Sequence, residues 1–175
     1  MPNTKTQQGF SLIEVLVAVL VVSIGLVGLA GMQLVGLKGN QQSFSKNQAA
    51  HHAQALLERM RANPSAAVAG DYVVNSATIN CSAPVPVNCA AATSSCSAAQ
   101  VADFDIYQAF CGHQYVSSGG IKGDLANAQL VISCPAACQD GVVIDLRWQE
   151  QVLGKESPGA DAVPRQLTIN TRISE

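Results

Sequence analysis

The chain is poor in charge and in aromatic rings. Charged residues make up 13% of it and aromatics 5%, with a single tryptophan, against a charged share of about 25% in a typical soluble protein. The net charge is −2, and clustered lysine and arginine of the kind that grips phosphate backbones is missing, which excludes a nucleic-acid-coating role. Catalytic signatures are missing as well: there is no Gly-x-Ser-x-Gly, no His-Glu-x-x-His and no Walker loop. Of three histidines, His51 and His52 are neighbours that point in different directions on a helix, so they read as solvated or packed rather than as a ligand pair. His113 stands by itself beside Gly112. With no Cys-x-x-Cys and no histidine pair at ligand spacing, zinc is disfavoured. No catalytic residue, no metal and no cofactor is expected, and Trp148 reads as core rather than as a stacking platform.

What is present is apolar, and it is unevenly placed. Hydrophobic residues make up 48% of 175 positions, a length that suits one domain plus an extra element. Val15 to Leu37 carries no charge over 23 residues, enough for a helix of about 34 Å against roughly 30 Å of bilayer hydrocarbon. One membrane crossing fits. Residues 38–62 hold Lys38, Lys46, Arg59 and Arg61 against Glu58, a net +3, while residues 64–175 hold five basic and ten acidic side chains, a net −5.

All six cysteines, Cys81, Cys89, Cys96, Cys111, Cys134 and Cys138, lie beyond the apolar run. An even number confined to the polar part reads as disulfides formed in an oxidising compartment, which puts this part of the chain outside the cytoplasm.

A cleaved secretory signal would explain a basic start, but its apolar stretch runs to only about 7 to 15 residues. An uncleaved signal anchor explains the length, yet neither explains Glu14 at the front of the run. Lys38 and Lys46 flank the far end as strongly as Lys5 flanks the near one, so the positive-inside rule does not set the orientation; the cysteines do.

The segment Gly9-Phe10-Ser11-Leu12-Ile13-Glu14 resembles the class III leader of type IV pilins and pseudopilins, in which a short polar leader ends in Gly, the mature chain starts with Phe, and Glu is its fifth residue. The continuation Val15-Leu16-Val17-Ala18 and Ser23-Ile24-Gly25-Leu26-Val27-Gly28-Leu29-Ala30-Gly31-Met32-Gln33 resembles a minor-pilin group, the type IV pilus modification protein PilV, over about the first third of the chain. The resemblance implies a leader over 1–9 removed by a prepilin peptidase between Gly9 and Phe10, and methylation of the new Phe10 amine. It also implies that Glu14 of an incoming subunit meets that amine on its neighbour.

The residues have physical reasons of their own. Gly9 has no side chain to obstruct a peptidase at the scissile carbonyl. Cutting there creates an α-amino group with a reference pKa of about 7.7 to 8.0, mostly charged at neutral pH. A carboxylate in hydrocarbon costs up to about 2.5 to 3.5 kcal/mol at mid-bilayer, so Glu14 calls for a mate. A buried charge with one available partner acts as a register device. The bland alternative is a carboxylate that merely faces the helix dipole.

Gly25, Gly28 and Gly31 repeat at three-residue spacing, with Gly36 and Gly39 following. They form either a small-residue packing stripe or a segment able to loosen, since each helical glycine costs about 1 kcal/mol relative to alanine. Beyond Leu37 the helix should continue in water. Ala50, Ala53, Leu57 and Met60 give it an apolar side, and Gln41, Gln42, Lys46, Gln48, Gln54 and Arg61 a polar one. Asn63-Pro64 should end it near residue 62.

Residues 64–100, rich in Ala, Ser, Pro and Asn, predict an irregular connection, with Tyr72-Val73-Val74 as a short strand. Ser97-Ala98-Ala99-Gln100 matches a capping box, and Val101, Phe104, Tyr107 and Cys111 suit a second helix. That helix would hold Cys96 and Cys111 about 22 Å apart, too far to bridge. If Cys134 pairs with Cys138, two sets remain open: Cys81 with Cys96 and Cys89 with Cys111, or Cys81 with Cys111 and Cys89 with Cys96. Ala128–Ser133 and Val142–Gln149, joined through Asp140-Gly141, predict a hairpin whose Val142, Ile144, Leu146 and Trp148 share a face. After a loop carrying Gly154, Pro158, Gly159 and Pro164, the alternation from Leu167 to Ile173 predicts another half-buried strand.

The expected fold is α+β: a long N-terminal helix, transmembrane over 10–37 and amphipathic over 38–62, packed on an antiparallel sheet in a disulfide-stapled head over 63–175. The final cysteine lies 37 positions before Glu175, unlike the disulfide-closed C-terminal loop of major pilins, which favours a minor subunit. The resemblance implies partners among other minor pilins, the major pilin, the prepilin peptidase, the inner-membrane assembly platform and a tip adhesin. It implies a place first in the inner membrane with the head periplasmic, then in the pilus, with roles in assembly, twitching motility and attachment. Two alternatives stand beside it: a minor pseudopilin of a type II secretion system, and a bitopic binding or enzymatic domain that never polymerises.

Overall fold

A computed structural model describes residues 9–84, 87–91, 94–112, 119–150 and 162–173. The elements, in chain order, are α1 (Leu12–Ala62), α2 (Pro64–Ala69), β1 (Val74–Asn75), a 3-10 turn (Ser76–Thr78), α3 (Ala98–Cys111), α4 (Ile121–Asp124), β2 (Gln129–Ser133), β3 (Val142–Glu150) and β4 (Val163–Thr171). The chain divides into two units, Met1–Gln41 and Gln42–Glu175.

In the first unit, α1 is apolar on every side and exposed on every side. Leu12, Ile24, Val27 and Met32 are all solvent-accessible, and none of the hydrophobic stretch is buried by the rest of the chain. A helix that is hydrophobic all round needs either a protein core or lipid around it; here the described residues supply no core.

The second unit is α+β. Ala49, Ala53, Leu56, Leu57 and Met60 are the buried stripe of α1, recurring at three to four residues as a helix against a core must. Ala50, expected on that stripe, is only half-buried. The four strands form one antiparallel sheet in the order β1-β2-β3-β4. In the hairpin, Leu130 faces Leu146 and Ile132 faces Ile144. Val142, Ile144, Leu146 and Trp148 are all buried, because alternate residues of a strand point to one face. They close one core with Leu56, Met60, Tyr72, Ile106 and Phe110.

Several local expectations need correction. Helix α1 does end at Ala62, but Pro64 does more than stop it: it sits in the first turn of α2, where its missing N–H costs nothing. The connection after residue 64 is therefore partly regular, with α2, β1 and the 3-10 turn. Strand β1 is shorter than expected and excludes Tyr72, which is 1% exposed and packs in the core instead. The capping box forms, with the Ser97 side chain accepting from Gln100 N and Gln100 Oε1 from Ser97 N. Yet the buried face of α3 is Ala102, Ile106 and Phe110, while Val101, Phe104, Tyr107 and Cys111 are half-buried. Pro164 lies within β4, paired with Gln149; β4 is an outer strand of the sheet, where a missing donor is tolerated. Gly154, Pro158 and Gly159 fall outside the described residues, as does His113.

Candidate assembly segment and the stapled head

The segment that should carry assembly begins at Gly9. A side chain added there would meet nothing within 4 Å, so no packing among the described residues demands glycine at that position. Phe10 is 84% exposed. The first turn of α1 opens on Ser11, whose carbonyl accepts from Glu14 N at 3.0 Å and Val15 N at 3.3 Å. Glu14 is the acidic residue of that turn, on the side of the helix where the dipole favours a negative charge. Its side chain has no hydrogen bond or ion pair among the described residues. The residues preceding Gly9 lie outside the described part.

Gly25, Gly28, Gly31, Gly36 and Gly39 likewise face open space, and α1 runs through them without a break. No contact among the described residues requires their small size. Ser23 Oγ donates back to Val19 O at 2.7 Å, which satisfies its hydroxyl inside the apolar stretch.

The cysteines resolve into Cys81–Cys111, Cys89–Cys96 and Cys134–Cys138, the second of the two sets left open above. Cys81–Cys111 fastens the end of α3 to the segment after the 3-10 turn, and both residues pack against the core. Cys89–Cys96 joins two half-buried cysteines just before the Ser97 cap. Cys134–Cys138 shapes the bend of the β2–β3 hairpin, and Cys138 Sγ lies 3.3 Å from where a Cβ on Gly70 would stand. Gly70, at φ +91°, caps α2, a backbone state that favours glycine.

Long-range polar contacts add what periodicity cannot show. His52 Nε2 lies 2.8 Å from Asp124 Oδ2, tying α1 to α4, whereas His51 is exposed. Arg59 Nη1 donates to Asp105 Oδ1 at 3.0 Å and to Gln108 Oε1 at 3.1 Å, locking α3 onto α1. Glu150, 9% exposed, accepts from Ser45 Oγ and from Arg165 Nε, each at 2.9 Å, joining β3 to α1 and β4. No group of three or more His, Cys, Asp or Glu placed to hold a metal ion occurs among the described residues.

A long N-terminal helix with an exposed apolar stretch and an acid in its first turn, packed farther along on a four-stranded antiparallel sheet, is the architecture of a pilin-like α+β protein. Residues 4–30 match the family model described as the prokaryotic N-terminal methylation motif, and residues 31–107 match the model described as type IV pilin Tt1218. The chain belongs to the type IV pilin superfamily. No curated protein and no solved structure matches it. Both matched families are structural, membership implies association with other pilins and with a prepilin peptidase, and the N-terminal helix serves membrane anchoring and incorporation into a pilus.

Proposed function

We propose that the chain is a minor pilin of a type IV pilus, similar in role to the PilV group that its stem resembles. On this reading the prepilin peptidase cuts between Gly9 and Phe10, and the Phe10 amine is then methylated. Residues 10–37 cross the inner membrane, 38–62 continue the stem, and 63–175 form a periplasmic head. The observation that carries the reading is Glu14: a carboxylate in the first turn of a helix whose apolar stretch is exposed on all sides, with no mate among the described residues. Such a charge needs one from another molecule, and the ammonium released at Phe10 supplies it. The three disulfides support an oxidising compartment for the head.

With other minor pilins, the major pilin, the inner-membrane assembly platform and a tip adhesin, the protein primes filament assembly and builds the tip complex. Through these it supports twitching motility and attachment. Intact mass of the chain extracted from membranes tests the processing step. A chain beginning at methylated Phe10 is expected; retention of Met1, or cutting after Ala30, ends the assembly reading. Deletion of the protein should abolish surface fibres. Loss of exoprotein export with fibres intact would instead make it a minor pseudopilin of a type II secretion system.

A further inference from the structure

A cleft of about 640 Å³ opens on the head where β1, the 3-10 turn, the end of α3, α4 and the start of β2 meet, a volume within the roughly 300–1,000 Å³ of small-ligand sites. Its polar rim includes Asn75, Lys122, Asn127 and Gln129, and no acidic side chain lines it among the described residues. The hydrogen bonds that hold these residues leave unused groups. Asn75 uses Oδ1 to accept from Ala77 N at 3.0 Å, which leaves its NH₂ group. Asn127, at φ 50° the one described non-glycine residue with positive φ, donates Nδ2 to Gln149 Oε1 at 2.7 Å and keeps its Oδ1. Lys122 and Gln129 have no side-chain hydrogen bond or ion pair among the described residues. Asp124, two positions from Lys122, is committed to His52. The cleft thus holds an ammonium without a counter-charge among the described residues, amides that can both donate and accept, and an apolar lining of Phe110, Ile79 and Ala128.

We propose that this cleft binds an acidic saccharide. Sugar hydroxyls match the amides, a ring's C–H face matches the apolar lining, and a uronate-type carboxylate matches Lys122. A peptide is the weaker candidate. Peptides are taken by long free strand edges or by pockets for apolar anchors, and β1 offers two residues of edge. The site belongs to the head alone and does not rest on filament incorporation, so its failure leaves the pilin reading untouched.

The full chain in detergent micelles, titrated calorimetrically with tetragalacturonate, cellotetraose and tetraglutamate, tests it. Saturable binding of tetragalacturonate is expected, weakened roughly tenfold by Lys122→Gln and several-fold by Gln129→Ala. Both residues are exposed, so the melting temperature should be unchanged in either variant. Cellotetraose should bind at least about tenfold more weakly. No saturable tetragalacturonate binding, binding indifferent to both substitutions, or equal or tighter binding of cellotetraose or tetraglutamate would overturn the proposal.

Discussion

Tyr72 Oη donates to Asp105 Oδ2 at 2.7 Å from a ring that is 1% exposed. The other oxygen of the same carboxylate accepts from Arg59. One acid therefore joins α1, α3 and the segment after α2, three pieces far apart in the chain. Burial, and then the hydrogen bond to Asp105, hold the phenol's pKa well above its ordinary value.

The sign of the linkage follows. Below about pH 10, the ordinary tyrosine value, the phenol is neutral whether folded or unfolded, and pH has no leverage through it. Above that, the unfolded chain releases a proton that the folded chain retains, so stability falls by up to about 1.4 kcal/mol per pH unit. Tyr72→Phe should remove this alkaline slope. At neutral pH it should cost about 1 to 3 kcal/mol, because Asp105 loses a partner in a partly buried site. Denaturant melts of both proteins between pH 8 and 11 check it; equal slopes would show that Tyr72 is not the linked group.

Gly112 at φ +82° and Gly120 at φ +79° lie with their backbones against each other at the end of α3 and the start of α4. A Cβ on Gly120 would overlap the backbone of Gly112, and one on Gly112 would overlap the Gly119 carbonyl. Gly120→Ala should therefore cost roughly 2 to 4 kcal/mol, combining left-handed strain with displaced backbone. Gly123, inside α4 and facing open space, makes the contrast: Gly123→Ala should be neutral or stabilising by up to about 1 kcal/mol. Thermal melts of the two variants decide it, and equal losses would refute the steric account.

The disulfides should rank by loop and by packing. Cys81–Cys111 spans 30 residues and packs on the core, whereas Cys89–Cys96 spans 7 at the surface. On loop entropy alone, replacing the first pair by serine should cost about 3 to 4 kcal/mol and the second about 2. Lost packing adds to the first. Melting temperatures of the two double-serine proteins should differ in that order, and the reverse order would show that the shorter loop is what holds the head.

Legibility in the sequence followed the range of the interaction. The capping box at Ser97–Gln100, the β2–β3 hairpin and the half-buried β4 depend on residues within one or two turns or on period-two alternation, and each was readable. Pro64 ends α1 where the sequence predicts, but its second role in opening α2 is not legible there, because a proline that ends one helix and one that opens the next look the same without the chain's path. Helix α4, four residues with a glycine inside, has too little periodicity to detect. The choice of Cys81–Cys111 over Cys81–Cys96, and the pairing of His52 with Asp124 across 72 positions, come from how α3 and α4 dock on α1, which no local pattern encodes. The assembly segment is the reverse: Gly9 and Phe10 are exposed and Glu14 has no partner among the described residues, so the role proposed for them rests on the sequence and not on the fold.

That outward character makes Glu14 the sharpest test of assembly. Its carboxylate pairs with no cation among the described residues, and the head core, built from Ala49 onward, does not include it. Glu14→Ala should then leave head stability unchanged, within about 0.5 kcal/mol for a substitution remote from any core contact. Cutting after Gly9 should persist too, because the scissile bond and the glycine beside it are untouched. Incorporation into filaments should fail, since the variant leaves a neighbour's Phe10 ammonium facing hydrocarbon without a counter-charge. Immunodetection of the variant in sheared fibres, against its level in membranes, gives the readout. Membrane levels equal to wild type with no signal in fibres are expected. A normal fibre signal would mean that the acid serves only the helix dipole and that register is set elsewhere along the stem.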